Sequence, residues 1–139
     1  MKRLLFLLLS CIVLFSCSTK EKGEEKESGD WKELDAFHEI MANAFHPLKD
    51  SGNVAPAKQL IKQLADEAEK WSNSELPEKV NTPEMKEKLQ KLKADTRSLE
   101  NEIQSGATDD IIKKKMNQLH DQFHEIMEAW HLENAEEPE

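Results

Sequence analysis

Hydrophobic residues in this chain recur at intervals of three and four positions, in four separate blocks that begin after residue 30. The blocks are Leu34, Phe37, Met41, Phe45 and Leu48; Leu60, Leu64, Ala68 and Trp71; Met85, Leu89, Leu92, Thr96, Leu99 and Ile103; and Ile112, Met116, Leu119, Phe123, Ile126 and Trp130. Nothing in this region alternates with period two, and β-branched residues are scarce. The pattern therefore predicts four amphipathic helices and no strands.

Turn and capping signals separate the blocks. The segments 49–53 (KDSGN) and 72–82 (SNSELPEKVNT) are rich in turn-forming residues. Thr82 followed by Pro83 predicts a helix start, Gly106 predicts the end of the third helix, and Thr108 predicts the start of the fourth. Four helices with short connections predict an all-α fold, an antiparallel up-down-up-down four-helix bundle.

The first residues of the chain are typical of an exported lipoprotein. Lys2 and Arg3 precede the apolar run 4–15, which is too short for a transmembrane helix of ~20 residues but suits a signal peptide. The run ends in LFSC, which resembles a bacterial lipobox and assigns lipidation, with palmitate among the chains, to Cys17. Residues 1–16 are thus predicted to be removed. The expected location is the bacterial outer membrane, facing the periplasm or the cell surface.

Composition divides the remainder into three parts. Residues 17–30 are charged and contain no large apolar side chain, so they predict a flexible acidic tether; the bundle is expected over 31–134 and a disordered tail over 135–139. The formal net charge of −9 argues against nucleic acid as a partner and leaves the membrane, through the lipid, as the expected one. Both cysteines precede the bundle, which therefore has no disulfide or thiolate metal site.

A heptapeptide occurs twice, as DAFHEIM at 35–41 and as DQFHEIM at 121–127, and six of its seven letters agree. All five histidines lie on the first and last predicted helices, namely His38, His46, His120, His124 and His131. Those two helices are antiparallel neighbours in the predicted bundle. The histidine-bearing faces of the two helices can therefore meet.

The helix phases predict which histidines meet. His38 and His124 lie on like flanks of their helices and are expected to face each other, with His120 one turn from His124. These three imidazoles predict a transition-metal site for zinc, copper or nickel. Asp35 and Asp121, each three residues before a histidine, are expected to accept the second imidazole N–H and orient the ring.

Other donor residues are lower-ranked ligands, and a domain that binds no ligand is an alternative. His46, His131, Met41 and Met127 are lower-ranked ligands, and the two thioethers suit copper(I). The same histidines also fit a packing seam in a ligand-free structural or interaction domain. An enzyme is not expected, because the sequence shows no nucleophile beside a base, no paired inward carboxylates and no phosphate-binding loop.

Nearly the whole of the predicted bundle resembles a known family. Residues 83–107 (PEMKEKLQKLKADTRSLENEIQSGA), followed by a helix ending in LHDQFHEI, are similar to the last two helices of the cytochrome b562-like proteins in the four-helix cytochrome c′/b562 group. The resemblance implies an axial haem ligand at His124, after Phe123. At the matching first-helix position the family has Met and this chain has His38. The implied alternative function is therefore an electron carrier with non-covalent haem b and bis-histidine ligation.

Overall fold

The computed structural model describes residues 31–135, with side chains to residue 132, and these residues form four helices. The helices are α1 (Lys32–Ser51), α2 (Ala55–Asn73), α3 (Pro83–Gln104) and α4 (Asp109–Ala135), with a short 3₁₀ helix at Glu78–Val80 before α3. The prediction of an all-α four-helix bundle is confirmed, and the described residues contain no strand. The predicted signal peptide, the predicted lipidation site at Cys17, the predicted tether and residues 136–139 of the predicted tail lie outside the described residues.

The helices end where the local sequence demands it. Gly52 has a φ of 71° and donates its N–H to the carbonyl of Leu48, and Gly106 has a φ of 88° after α3. Both conformations favour glycine because a β-carbon is disfavoured at positive φ. The Thr82 hydroxyl accepts the backbone N–H of Met85 at 3.1 Å, which caps α3 as predicted. The last helix continues to residue 135, one position beyond the boundary expected from the sequence.

A single hydrophobic core joins all four helices, because each turns its apolar stripe inward. Three tryptophans gather at one end of it: Trp31 lies 5.1 Å from Trp71 and 5.4 Å from Trp130, measured between ring centroids. Phe37 and Phe123 meet in the middle at 5.6 Å. Burial of an aromatic side chain of this kind contributes roughly 1.5–3 kcal/mol. The three tryptophans and two phenylalanines are therefore a main source of stability.

Contacts between α1 and α4 run in opposite directions along the two helices. Trp31 contacts Trp130 at one end of the pair, and Phe45 contacts His120 further along. The two helices therefore run antiparallel. The same holds for α3 and α4, where Lys88 pairs with Glu125 and Lys115 pairs with Glu102. The consequence is that one flank of α4 faces α1 and the other faces α3. No helix in the described part is both long enough and apolar enough to cross a membrane.

Candidate metal centre

Two histidines on α4 lie side by side. The Nε2 atoms of His120 and His124 are 3.1 Å apart, and the ring centroids are 4.3 Å apart at an angle of 58°. The spacing is i,i+4, which places both side chains on the same face of one helix about a turn apart. Both residues are partly buried on the flank of α4 that faces α1. The two nitrogens are therefore within hydrogen-bonding distance of each other.

That separation is close to the one a metal ion requires. Imidazole nitrogens bind zinc at ~2.0–2.1 Å, and two such nitrogens at a tetrahedral angle are about 3.3 Å apart. The observed separation of 3.1 Å is slightly shorter, and a small rotation of either side chain would bring the two nitrogens to the separation that a metal ion requires. Two histidines at i,i+4 on a helix are also a recurrent zinc-binding arrangement. His120 and His124 can thus act as a bidentate chelate.

The surroundings of His120 favour its neutral form. The ring of Phe45 stacks on the His120 ring at 4.0 Å between centroids, with 18° between the planes. Burial lowers the pKa of His120, the neighbouring His124 and then Lys49 lower it further, and Asp121 acts in the opposite sense. A metal binds the neutral imidazole, so a lowered pKa keeps His120 available as a ligand at neutral pH.

Asp121 lies next to His120, on the side away from the chelating nitrogen. Its Oδ1 atom is 3.9 Å from Nδ1 of His120, while the Asp121 side chain is 80% exposed. This distance is too long for a direct hydrogen bond. The sequence had assigned Asp121 to His124, three residues later, whereas the structure places its carboxylate beside the preceding histidine. Asp35 and His38 form no hydrogen bond with each other among the described residues, and both are exposed.

His38 contacts α4 through Phe123, the residue that precedes His124. Its exposed ring stacks on Phe123 at 5.2 Å, with 15° between the planes, rather than on the chelating pair. Phe123 is fully buried and occupies the middle of the α1–α4 seam. Helical periodicity gives the direction in which a side chain leaves its own helix. It does not show which large side chain of the neighbouring helix occupies the space between α1 and α4. The structure therefore brings His120 and His124 together, while His38 stacks on Phe123 and completes no three-residue metal-binding group among the described residues.

The lower-ranked ligands are distributed differently. His46 and His131 are exposed, Met41 is 1% exposed in the core, and Met127 is partly buried against the core. Between residues 31 and 132, no three His, Cys, Asp or Glu side chains come together as a group that could hold a metal ion. The sequence interpretation missed Phe45 and Lys49 as neighbours of His120. The i,i+4 spacing of His120 and His124 was the available signal for the pair itself.

A haem does not fit between His38 and His124 in this arrangement. Bis-histidine ligation needs a flat macrocycle between two opposed imidazoles, with the iron bound by both. Here His38 packs on the Phe123 ring, Phe123 packs on Phe37, and both phenylalanines are fully buried. Opening that position would remove the centre of the aromatic core.

Comparison with known proteins does not assign the chain to a group. No family model, no curated protein and no solved structure matches this sequence. The functional argument therefore depends on the chemistry of the α4 pair.

Proposed function

We propose that the bundle binds one divalent first-row transition-metal ion through Nε2 of His120 and Nε2 of His124. The observation that carries the proposal is the 3.1 Å separation of these two nitrogens on one helix face. Zinc, nickel and copper(II) all accept imidazole ligands, and at an unconstrained site copper(II) binds most tightly of the three. The metal-free pair would share one proton as an N–H···N hydrogen bond, which binding of the metal replaces.

The small number of protein ligands indicates binding and release rather than a structural role. Structural zinc sites usually have four protein ligands, whereas sites that exchange ligands keep positions open to water or to another molecule. His120 and His124 are both partly exposed, so solvent can occupy the remaining positions. The buried hydrophobic core that joins the helices contains neither histidine. A metal carried here would be exchangeable.

The predicted signal peptide indicates where in the cell the proposed metal binding would take place. Together with Cys17, residues 1–16 have the character of a lipoprotein signal, so the proposed carrier is anchored to a bacterial outer membrane by lipid. The acidic 17–30 segment would hold the bundle away from the bilayer. In this proposal the protein is a membrane-tethered metal-binding module without enzymatic activity.

The ligand-free reading is the main competitor, because neutral histidines form ordinary hydrogen bonds with each other. The test uses the purified full chain, equilibrated with zinc or copper(II), desalted and assayed for bound metal by elemental analysis. We expect one metal ion per chain. A variant with both His120→Ala and His124→Ala should retain none, while a variant with both His46→Ala and His131→Ala should retain the metal.

The matched variants remove two histidines each, so loss of metal only in the first shows that the α4 pair binds it. Equal retention in both variants would refute the proposal, and no retention by the wild type would leave the ligand-free domain. Haem titration followed by visible spectroscopy tests the third alternative. A Soret shift that is lost in both His38→Ala and His124→Ala would replace the proposed function with the cytochrome-like one.

A further inference from the structure

We infer that Met127 is a third protein ligand of the α4 site, and that the site therefore accepts copper(I) as well as a divalent ion. This inference rests on the proposed function, because Met127 alone does not form a site. It identifies the metal more narrowly than the histidine pair does. The copper(I) selectivity would come from a thioether, which is a soft ligand.

The position of Met127 on α4 supports the inference. His120, His124 and Met127 have the spacing i, i+4, i+7, which follows one face of an α-helix. Helical side chains lean toward the N-terminal end of their helix, so Met127 extends back toward His124 and His124 toward His120. The three residues thus share one face of α4, with Met127 one turn beyond His124. The thioether chain has three rotatable bonds and can adjust its reach.

Burial distinguishes Met127 from its counterpart in the repeated heptapeptide. Met41 is 1% exposed and belongs to the core, whereas Met127 lies at the edge of the core and is partly exposed. A methionine with its sulfur enclosed by hydrophobic side chains is unavailable to an ion that binds at the flank. Met127 follows nearly the same six residues as Met41 but has a different environment, and it is on the helix that carries the histidine pair.

The acidic and imidazole side chains near the pair provide no third ligand in this arrangement. Among the described residues no third His, Cys, Asp or Glu forms a metal-binding group with the pair, which leaves the thioether of Met127 as the candidate for a further side-chain ligand. The carboxylate of Asp121 approaches Nδ1 of His120, on the opposite side of the ring from the chelating nitrogen. Two imidazoles and one thioether form a ligand set suited to copper(I) rather than to magnesium or calcium.

The experiment measures copper(I) affinity of the full chain under anaerobic conditions, by competition with a chromophoric copper(I) chelator. The variant Met127→Leu should bind copper(I) at least about tenfold more weakly than wild type, while its zinc affinity stays within about twofold because zinc does not require the thioether. The matched control is Met41→Leu, which changes the same residue type in the other heptapeptide. Met41→Leu should leave both affinities unchanged, since Met41 is buried in the core and an exchange of Met for Leu conserves the volume of the side chain.

Copper-edge X-ray absorption gives a second measurement, independent of affinity. A sulfur neighbour of copper(I) is expected in wild type and Met41→Leu and should be absent in Met127→Leu. Equal copper(I) affinity and an unchanged sulfur signal in Met127→Leu would overturn the inference while leaving the histidine site intact. If zinc and copper both fail to bind wild type, the proposed function fails and the inference fails with it.

Discussion

The two copies of the heptapeptide occupy different environments although their sequences are almost identical. In both, the phenylalanine is fully buried, and Phe37 and Phe123 contact each other at 5.6 Å. The neighbours of the phenylalanine differ: on α1 the methionine is buried and the isoleucine is at the edge, whereas on α4 Ile126 is fully buried and Met127 is at the edge. The two helices are therefore rotated differently about their own axes.

This rotation determines which copy can hold a metal. The residue four positions before the repeated histidine is Leu34 on α1 and His120 on α4. Leu34 is 5% exposed and packs in the core, while His120 lies on the partly exposed flank facing α1. The residues that the two heptapeptides share thus determine how a phenylalanine packs in the core. The residue before each heptapeptide, Leu34 or His120, determines whether a second histidine is available to bind a metal. A repeated motif does not imply a repeated site.

The largest expected effect tests what the copies share. Phe37→Ala and Phe123→Ala should each lower the free energy of unfolding by about 3–5 kcal/mol, because each removes a fully buried ring and leaves a cavity. Urea unfolding followed by circular dichroism measures both. If one substitution cost less than about 1 kcal/mol, the two phenylalanines would not have equivalent roles in the core.

The next effect tests what the copies do not share. His120→Ala should weaken zinc binding roughly 100-fold, because loss of one arm of a chelate removes a high effective concentration of the second ligand. His38→Ala should leave zinc affinity unchanged, since His38 is exposed and stacks on Phe123. Isothermal titration calorimetry compares the variants. A comparable loss in His38→Ala would restore the cross-seam site predicted from the helix phases.

A smaller effect concerns the acidic residue that opens each copy. Asp121→Asn should weaken zinc binding by about tenfold or less, because its carboxylate lies 3.9 Å from Nδ1 of His120 and favours the N–H tautomer there. Asp35→Asn is the matched control and should have no effect, as Asp35 is exposed on α1. Equal behaviour of the two variants would show that the Asp121 carboxylate does not act on the bound imidazole.

The sequence predicted the fold well because helix boundaries depend on local chemistry. Thr82 caps α3, and Gly106 ends it, for reasons contained in the residues themselves. The site was harder to predict, because periodicity gives an angle about one helix and not the rotation of its partner. His38 and His124 were expected to oppose each other, yet the ring of Phe123 packs on His38. The i,i+4 spacing already placed His120 and His124 on one face of α4, and the packing adds that their Nε2 atoms lie 3.1 Å apart.

The smallest effect is a pH dependence of stability that arises on α4. In metal-free protein, burial, His124 and Lys49 lower the pKa of His120 below its ordinary value of 6.5. The unfolded chain therefore binds a proton at a higher pH than the folded chain, so stability is fully present above pH 6.5 and decreases as the pH falls toward the lowered pKa. The effect is expected to be small, because His120 is only partly buried and Asp121 opposes the shift.

The measurement is the urea midpoint of the full chain between about pH 5 and pH 8, with a chelator present, for wild type and His120→Gln. Glutamine retains hydrogen-bonding capacity but does not titrate, so the fall in midpoint below pH 6.5 should be smaller in the variant. A parallel pH dependence in the two proteins would show that the packing of His120 under Phe45 does not disfavour its charged form. Addition of zinc should shift the wild-type curve upward most at high pH, since protons and metal compete for the same imidazole nitrogens. The same burial that makes His120 sensitive to acid thus keeps its neutral imidazole available to a metal ion.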